Sequence, residues 1–212
     1  MNAAERGARE RLVAAARRLS DGGLNPGRSG NVSERLGAGF LVTPSALPYD
    51  RMEAEDIVLV DADGAAHGTR RPSTEWPLHR GLYAARPEAG GIAHTHSPFA
   101  TTLSCLRRPI PPFHYEVAFA GGRDIPCAAY ATFGTPELSQ RALAALEGRR
   151  ACLLANHGAV AFGETVEAAV ELAEKVEALA RLYWQALQVG EPVLLDEVEM
   201  DRVVEKFASY GK

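Results

Sequence analysis

Gly90-Gly91-Ile92-Ala93-His94-Thr95-His96 places two histidines one residue apart, at the end of a short apolar run that follows a glycine pair. A run of this length bounded by glycine reads as a strand, whose successive side chains point to opposite faces. His94 and His96 therefore share one face and Thr95 takes the other. Two residues of strand rise separate their Cβ atoms by about 6–7 Å, so both imidazoles can converge on one cation. A His-X-His pair also occurs on solvated strands, and the pair alone leaves both readings open. A third histidine, His157 in Leu153-Leu154-Ala155-Asn156-His157-Gly158, and an acid, Glu75 in Ser73-Thr74-Glu75-Trp76, favour the metal. Three neutral imidazoles, a carboxylate and an open position are what a catalytic zinc site needs. His67, His79 and His114 are read as non-ligands.

Outward from that strand, further short apolar runs punctuated by Gly and Pro predict strands at residues 40–43, 57–61, 117–120, 151–155 and 159–162. A Gly-rich loop at 25–33 runs into another strand. Helical spacing is clearest at the two ends. Leu12, Ala15, Ala16 and Leu19 mark one face of a first helix that stops at Gly22-Gly23. Val166, Val170, Ala173, Val176, Ala180, Tyr183 and Leu187 mark a core-facing stripe from Thr165 as N-cap to about residue 189, ended by Gly190 and Pro192. Helices are also predicted at 75–86, 98–105, 136–147 (with Thr135 as cap and Pro136 at its first position) and about 196–210. Strands and helices interleave without a low-complexity linker or a repeat, so residues 1–212 read as one α/β domain with helices covering a sheet.

Composition excludes several classes. The 212 residues are 46% hydrophobic and 24% charged, ordinary for a globular protein, and can bury a substantial core. A formal charge of −4, with basic residues clustering only as isolated pairs such as Arg17-Arg18 and Arg70-Arg71, gives no reason to expect nucleic acid as a partner. No stretch approaches the ~20 apolar residues of a membrane span, and the charged N-terminal segment lacks the apolar core of a signal peptide. Three widely spaced cysteines without Cys-X-X-Cys fit reduced thiols in a cytoplasmic protein.

Three segments offer amides and hydroxyls to an anion: residues 25–33, Thr43-Pro44-Ser45-Ala46 and Ser73-Thr74. The first lacks both the P-loop lysine and the dinucleotide fingerprint, so neither nucleotide site is supported. Taken singly, each segment also reads as an ordinary turn.

The stations Gly30-Asn31-Val32-Ser33, Leu41-Val42-Thr43-Pro44-Ser45, Ser73-Thr74-Glu75-Trp76, His94-Thr95-His96, Ile125-Pro126-Cys127, Tyr130-Ala131-Thr132-Phe133-Gly134-Thr135 and Asn156-His157-Gly158 resemble the class II aldolase/adducin family, from Leu24 to the C-terminal Phe207-Ala208-Ser209-Tyr210-Gly211. The nearest likeness is to the family's fuculose-phosphate-cleaving branch. The resemblance implies a single-domain three-layer α/β/α sandwich around a largely antiparallel sheet, assembled as a C4 homotetramer with active sites between subunits. It implies a zinc-dependent aldolase that cleaves a (deoxy)ketose 1-phosphate, such as L-fuculose 1-phosphate, to dihydroxyacetone phosphate and an aldehyde.

By the same resemblance, His94, His96, His157 and Glu75 would bind Zn²⁺, with Glu75 also the general acid and base. Gly30, Asn31, Ser45, Ala46, Ser73 and Thr74 would hold the phosphate. Tyr115 would act at the aldehyde end from a neighbouring subunit, and Phe133 and Tyr210 would lie near the aldehyde's tail. Two departures stand out. Ala46 replaces the family's usual glycine and is expected to exclude a glycine-only backbone conformation. Arg28 is an added cation, read as solvent-facing in preference to phosphate-bound. The same fold also hosts a methylthioribulose-1-phosphate dehydratase and sugar-phosphate 4-epimerases, although the epimerase branch has Asp where this chain has Glu75. A non-catalytic adducin-like interaction module is disfavoured by retention of all three histidines and Glu75.

Overall fold

Strand β5 (Gly91–Thr95), predicted from the His-X-His segment, lies near the middle of the fold and is buried along its whole length. The structure, a computed structural model, describes residues 2–209. β5 pairs antiparallel with β1 (Asn31–Leu36) on one side and β8 (Gly158–Gly163) on the other. Beyond β1 come β2 (Gly39–Val42), β3 (Val58–Val60) and the two-residue β4 (Ala66–His67). Beyond β8 come β7 (Ala151–Leu154) and β6 (Cys127–Ala128). Every pairing among the described residues is antiparallel except β6 with β7. The largely antiparallel sheet is as expected.

Strand alternation divides the core between the two faces of this sheet. Val32, Leu41, Ala93, Leu153 and Ala159 point to one face, where they pack with helices α1 (Ala3–Asp21), α3 (Pro98–Cys105), α5 (Val166–Val189) and α6 (Glu197–Ser209). Phe40, Val42, Ile92, Cys152, Val160 and Phe162 point to the other, under α2 (Trp76–Ala85) and α4 (Pro136–Ala145). The result is the expected three-layer α/β/α sandwich. Neither face has the polar alternation of a solvated sheet, because helices cover both.

The helix ends follow their sequence signals. Asn2 caps α1 by accepting from Glu5 N at 2.9 Å. Thr135 and Thr165 cap α4 and α5 by accepting from Leu138 N and Ala168 N. α3 is short, and the Glu177 carboxylate of α5 accepts from its Phe99 and Ala100 amides, holding its N-terminus against that helix.

One predicted strand is not formed. Residues 117–120 belong to a 3₁₀ helix, Tyr115–Ala120, opened by His114, which accepts from Glu116 N, and closed by Gly121 at φ 94°. The run is apolar because Val117, Ala118 and Ala120 pack into the core beside α5, a requirement a tight helical turn meets as well as a strand.

Candidate active site

His94 sits inside the sheet and His96 just past the end of β5. The β7–β8 hairpin pairs Leu154 with Gly158 across a three-residue turn, and His157 is its last turn residue. Asn156 takes the left-handed conformation, φ 55°, that such a turn uses and that asparagine tolerates. Gly158 lets the hairpin close on β5, because a Cβ there would lie 2.2 Å from the Thr95 carbonyl oxygen. Glu75 stands at the N-cap position of α2, above the same face.

These elements bring Glu75, His94, His96 and His157 together, with ligand atoms all within 4.8 Å of one another. His94 Nε2 lies 3.0 Å from both His96 Nε2 and Glu75 Oε2, and His157 Nε2 lies 3.1 Å from Glu75 Oε1. The His94 ring donates from Nδ1 to the Ala159 carbonyl at 2.9 Å, which leaves its Nε2 lone pair facing the cluster. Three imidazole nitrogens and a carboxylate thus converge, the His94 Nε2 with its lone pair inward, and the buried Glu75 Oε1 has no hydrogen-bond donor. A divalent cation satisfies all four at once, so the residues fit a metal.

The charges are tightly coupled. Burial alone raises the Glu75 carboxyl, but the His94 and His157 imidazoles outweigh it and hold Glu75 well below the usual carboxylate range. Burial lowers His94, and the adjacent Glu75 overrides it and raises the ring. His96 falls to about 4, through burial and then the nearby His94 and His157.

A cleft of about 370 Å³ opens onto the cluster, lined among others by Gly30, Asn31, Ser45, Ala46, Ser73 and Thr74. Backbone bonds hold these three anion-type segments together: Thr43 N to Val32 O, Ser45 N to Arg71 O and Ser73 N to Thr43 O. The buried Tyr49 hydroxyl reaches the Ser29 and Gly30 carbonyls at 2.8 and 2.7 Å, fixing the Gly-rich loop from behind. Gly30 takes φ 72° and packs on Asn25, where a Cβ would fall 2.2 Å from its amide oxygen.

Of the two departures, one resolves differently from expectation. Ala46 adopts φ 59°, so alanine here does not forbid the left-handed turn but carries it at a cost of about 1–2 kcal/mol. Arg28 is exposed, as expected; its Nη1 also donates to the Ala46 carbonyl at 3.1 Å, and its side chain lines the cleft.

Phe133 is at the mouth of the cleft, as are Tyr130 and Asn156, which the sequence reading had not singled out as site residues. Tyr115 is elsewhere. It is 48% exposed, stacked on Phe207 in a separate cleft between the 3₁₀ helix and α6. Tyr210 lies outside the described residues. Of the histidines set aside, His67 pairs with Asp61 on the surface and His114 caps the 3₁₀ helix, but His79 is fully buried directly behind Asn31. Its only sequence signal was the four-residue step from Glu75.

The family profile of the class II aldolase and adducin N-terminal domain matches residues 10–184. The chain is 54% identical over 203 residues, 96% of its length and 92% of the relative's, to the 5-methylthioribulose-1-phosphate/5-deoxyribulose-1-phosphate aldolase of Rhodospirillum rubrum. To the L-fuculose phosphate aldolase of Escherichia coli it is 45% identical over 190 residues, 89% of this chain and 88% of that one. The solved structure of an L-fuculose 1-phosphate aldolase superposes with a TM-score of 0.92 at 39% identity, covering 95% of this chain and 96% of that one.

Proposed function

This chain belongs to the class II aldolase and adducin family and is an aldehyde-lyase, and from that premise we propose that it is a zinc enzyme cleaving a deoxyketose 1-phosphate to dihydroxyacetone phosphate and an aldehyde. The observation that carries the reading is the Glu75–His94–His96–His157 cluster, opening on a cleft whose far wall is three amide- and hydroxyl-bearing loops. His94, His96 and His157, with Glu75, would hold the zinc, which would supply positive charge against the negative charge that builds up on cleavage.

The residues of the chain do the rest. The hydroxyls of Ser45, Ser73 and Thr74 and the amides of Gly30, Asn31, Ala46 and Thr74 take the phosphate, the Ser45 and Ser73 amides being held by the Arg71 and Thr43 carbonyls, with Arg28 beside them as a cation. Holding this remote group orients the reacting carbon. When the C3–C4 bond breaks, the C4 hydroxyl gives its proton to the Glu75 carboxylate and becomes the aldehyde. The bond's electron pair passes to the enediolate, and the protonated Glu75 returns that proton to C3. Tyr115, exposed in a separate cleft of its own chain, would hydrogen-bond the aldehyde oxygen from a neighbouring subunit, the working unit being the C4 tetramer that the family resemblance implies.

Tyr130 and Phe133 line the outer part of the cleft, where the aldehyde's tail would lie. An apolar tail suits them. Together with the greater identity to the methylthioribulose/deoxyribulose enzyme, this favours 5-deoxyribulose 1-phosphate and 5-methylthioribulose 1-phosphate over L-fuculose 1-phosphate. The test is a coupled assay for dihydroxyacetone phosphate with zinc-loaded protein and these three substrates, products being identified by NMR. Turnover of the first two with kcat/KM at least tenfold above the third is expected. Loss of water, or inversion without cleavage, would overturn the reading.

A further inference from the structure

Behind Glu75, on the sheet side of α2, four more polar side chains continue from its carboxylate as one buried hydrogen-bonded chain. Asn31 Nδ2 donates to Glu75 Oε2 at 3.0 Å. Asn31 Oδ1 lies 2.5 Å from His79 Nε2, His79 Nδ1 lies 2.6 Å from Ser33 Oγ, and Ser33 Oγ lies 2.9 Å from the Tyr83 hydroxyl. All five residues are at most 7% exposed. Glu75, His79 and Tyr83 follow at four-residue steps along α2, about 6 Å apart, and Asn31 and Ser33 at a two-residue step along β1, about 6.5 Å apart. The near-equal rises let helix and strand residues alternate in one line.

The donor inventory fixes every proton in this line. With Asn31 Nδ2 on the carboxylate, the amide oxygen faces His79 and can only accept, so His79 Nε2 carries the hydrogen. Burial, with a smaller contribution from His94, lowers His79 to about 3 and keeps the ring neutral. Nδ1 is then bare and accepts from Ser33, whose oxygen in turn accepts from Tyr83. Burial raises the Tyr83 phenol, which stays a donor. Every donor therefore points toward Glu75. Reversing the Asn31 amide would set two acceptors, Asn31 Oδ1 and Glu75 Oε2, against each other in a dry site.

We infer that His79 is a positioning residue of the active site: it locks the Asn31 amide with its N–H toward Glu75, tethering Oε2, the oxygen beside His94, while Oε1 faces His157. This rests on the proposed acid–base role of Glu75, and it gives Asn31 a task besides the phosphate. The Gln side chain can replace both hydrogen bonds of the ring, donating to Asn31 and accepting from Ser33, whereas Leu can replace neither.

The experiment compares zinc-loaded wild type, His79→Gln and His79→Leu, with folding checked by circular dichroism and metal content by atomic emission. Leu should lower kcat by about 10–100-fold, the usual range for a partner behind a metal ligand, with KM changed less than about threefold. Gln should restore most of the loss. A second readout needs no turnover: long-range ¹H–¹⁵N correlation of the wild-type protein should show His79 as the neutral Nε2–H tautomer from pH 6 to 8. An Nδ1–H tautomer, a protonated ring, or equal kcat losses in Gln and Leu would each overturn the inference. Should Leu not fold, the tautomer and the Gln variant still decide it. If wild type makes no dihydroxyacetone phosphate but His79 is the Nε2–H tautomer, the aldolase reading falls and the hydrogen-bond assignment stands. Turnover with the wrong tautomer sinks the inference alone.

Discussion

Both Glu75 oxygens face the histidine cluster, Oε2 beside His94 and tethered by Asn31, Oε1 beside His157. Three imidazoles suffice to keep a metal, so Glu75→Gln should retain stoichiometric zinc while losing the proton transfer. Deuterium exchange into dihydroxyacetone phosphate, followed by NMR, should slow by about 10²–10⁴-fold, the typical contribution of a general acid or base. Retained exchange would show that another group moves the proton. Residue by residue, legibility was uneven. His94 and His96 announced themselves by strand alternation, and His157 and Glu75 by the company they keep. His79 did not, because a histidine on an apolar helix face looks the same whether it meets leucine or an asparagine amide. Ala46 misled for a related reason: its side chain disfavours the left-handed conformation, but neighbouring loops can impose it at modest cost.

At the scale of elements, the β7–β8 hairpin and β5 form one device for holding three histidines. Their rings sit 4.8–4.9 Å apart between centroids because β8 pairs directly with β5. Gly158 is the contact point, so Gly158→Ala forces a Cβ into the Thr95 carbonyl, which is backbone and cannot swing away. Overpacking of this kind costs about 1–3 kcal/mol. Denaturant unfolding should show that loss, and zinc titration should show weaker binding, since Thr95 lies between two of the histidines. Unchanged stability and affinity would mean that the hairpin is not registered through this contact. Periodicity found most elements, α5 above all, whose apolar stripe and Thr165 cap agree. It failed at residues 117–120, where four residues are too few to distinguish strand from 3₁₀ helix and the packing partner decides. The two-residue strands β4 and β6 carry no periodic signal at all.

For the molecule as a whole, burying a neutral histidine makes stability depend on pH. His79 has a folded value of about 3 against 6.5 ordinarily, so between these pH values the unfolded chain binds a proton that the folded one refuses. Stability therefore rises with pH across that window, is complete above about 6.5, and is lost as the solution is acidified toward 3. Urea midpoints of metal-free wild type and His79→Gln should diverge in slope by up to one proton, about 1.4 kcal/mol per pH unit. Parallel curves would mean that His79 titrates normally. The sequence by itself determined the two-faced burial of the strands, the helix boundaries set by caps and prolines, and which residue types could bind a metal, since these follow from local spacing and side-chain chemistry. Strand order was beyond its reach. Only the tertiary structure, by placing β1 and β8 on either side of β5 and α2 across one face, decided that Glu75 and three histidines distant in the chain share one centre. The same placement closed Asn31, His79, Ser33 and Tyr83 into a line behind it, because hydrogen-bond partners separated by 44–50 residues are chosen by packing and not by sequence neighbours.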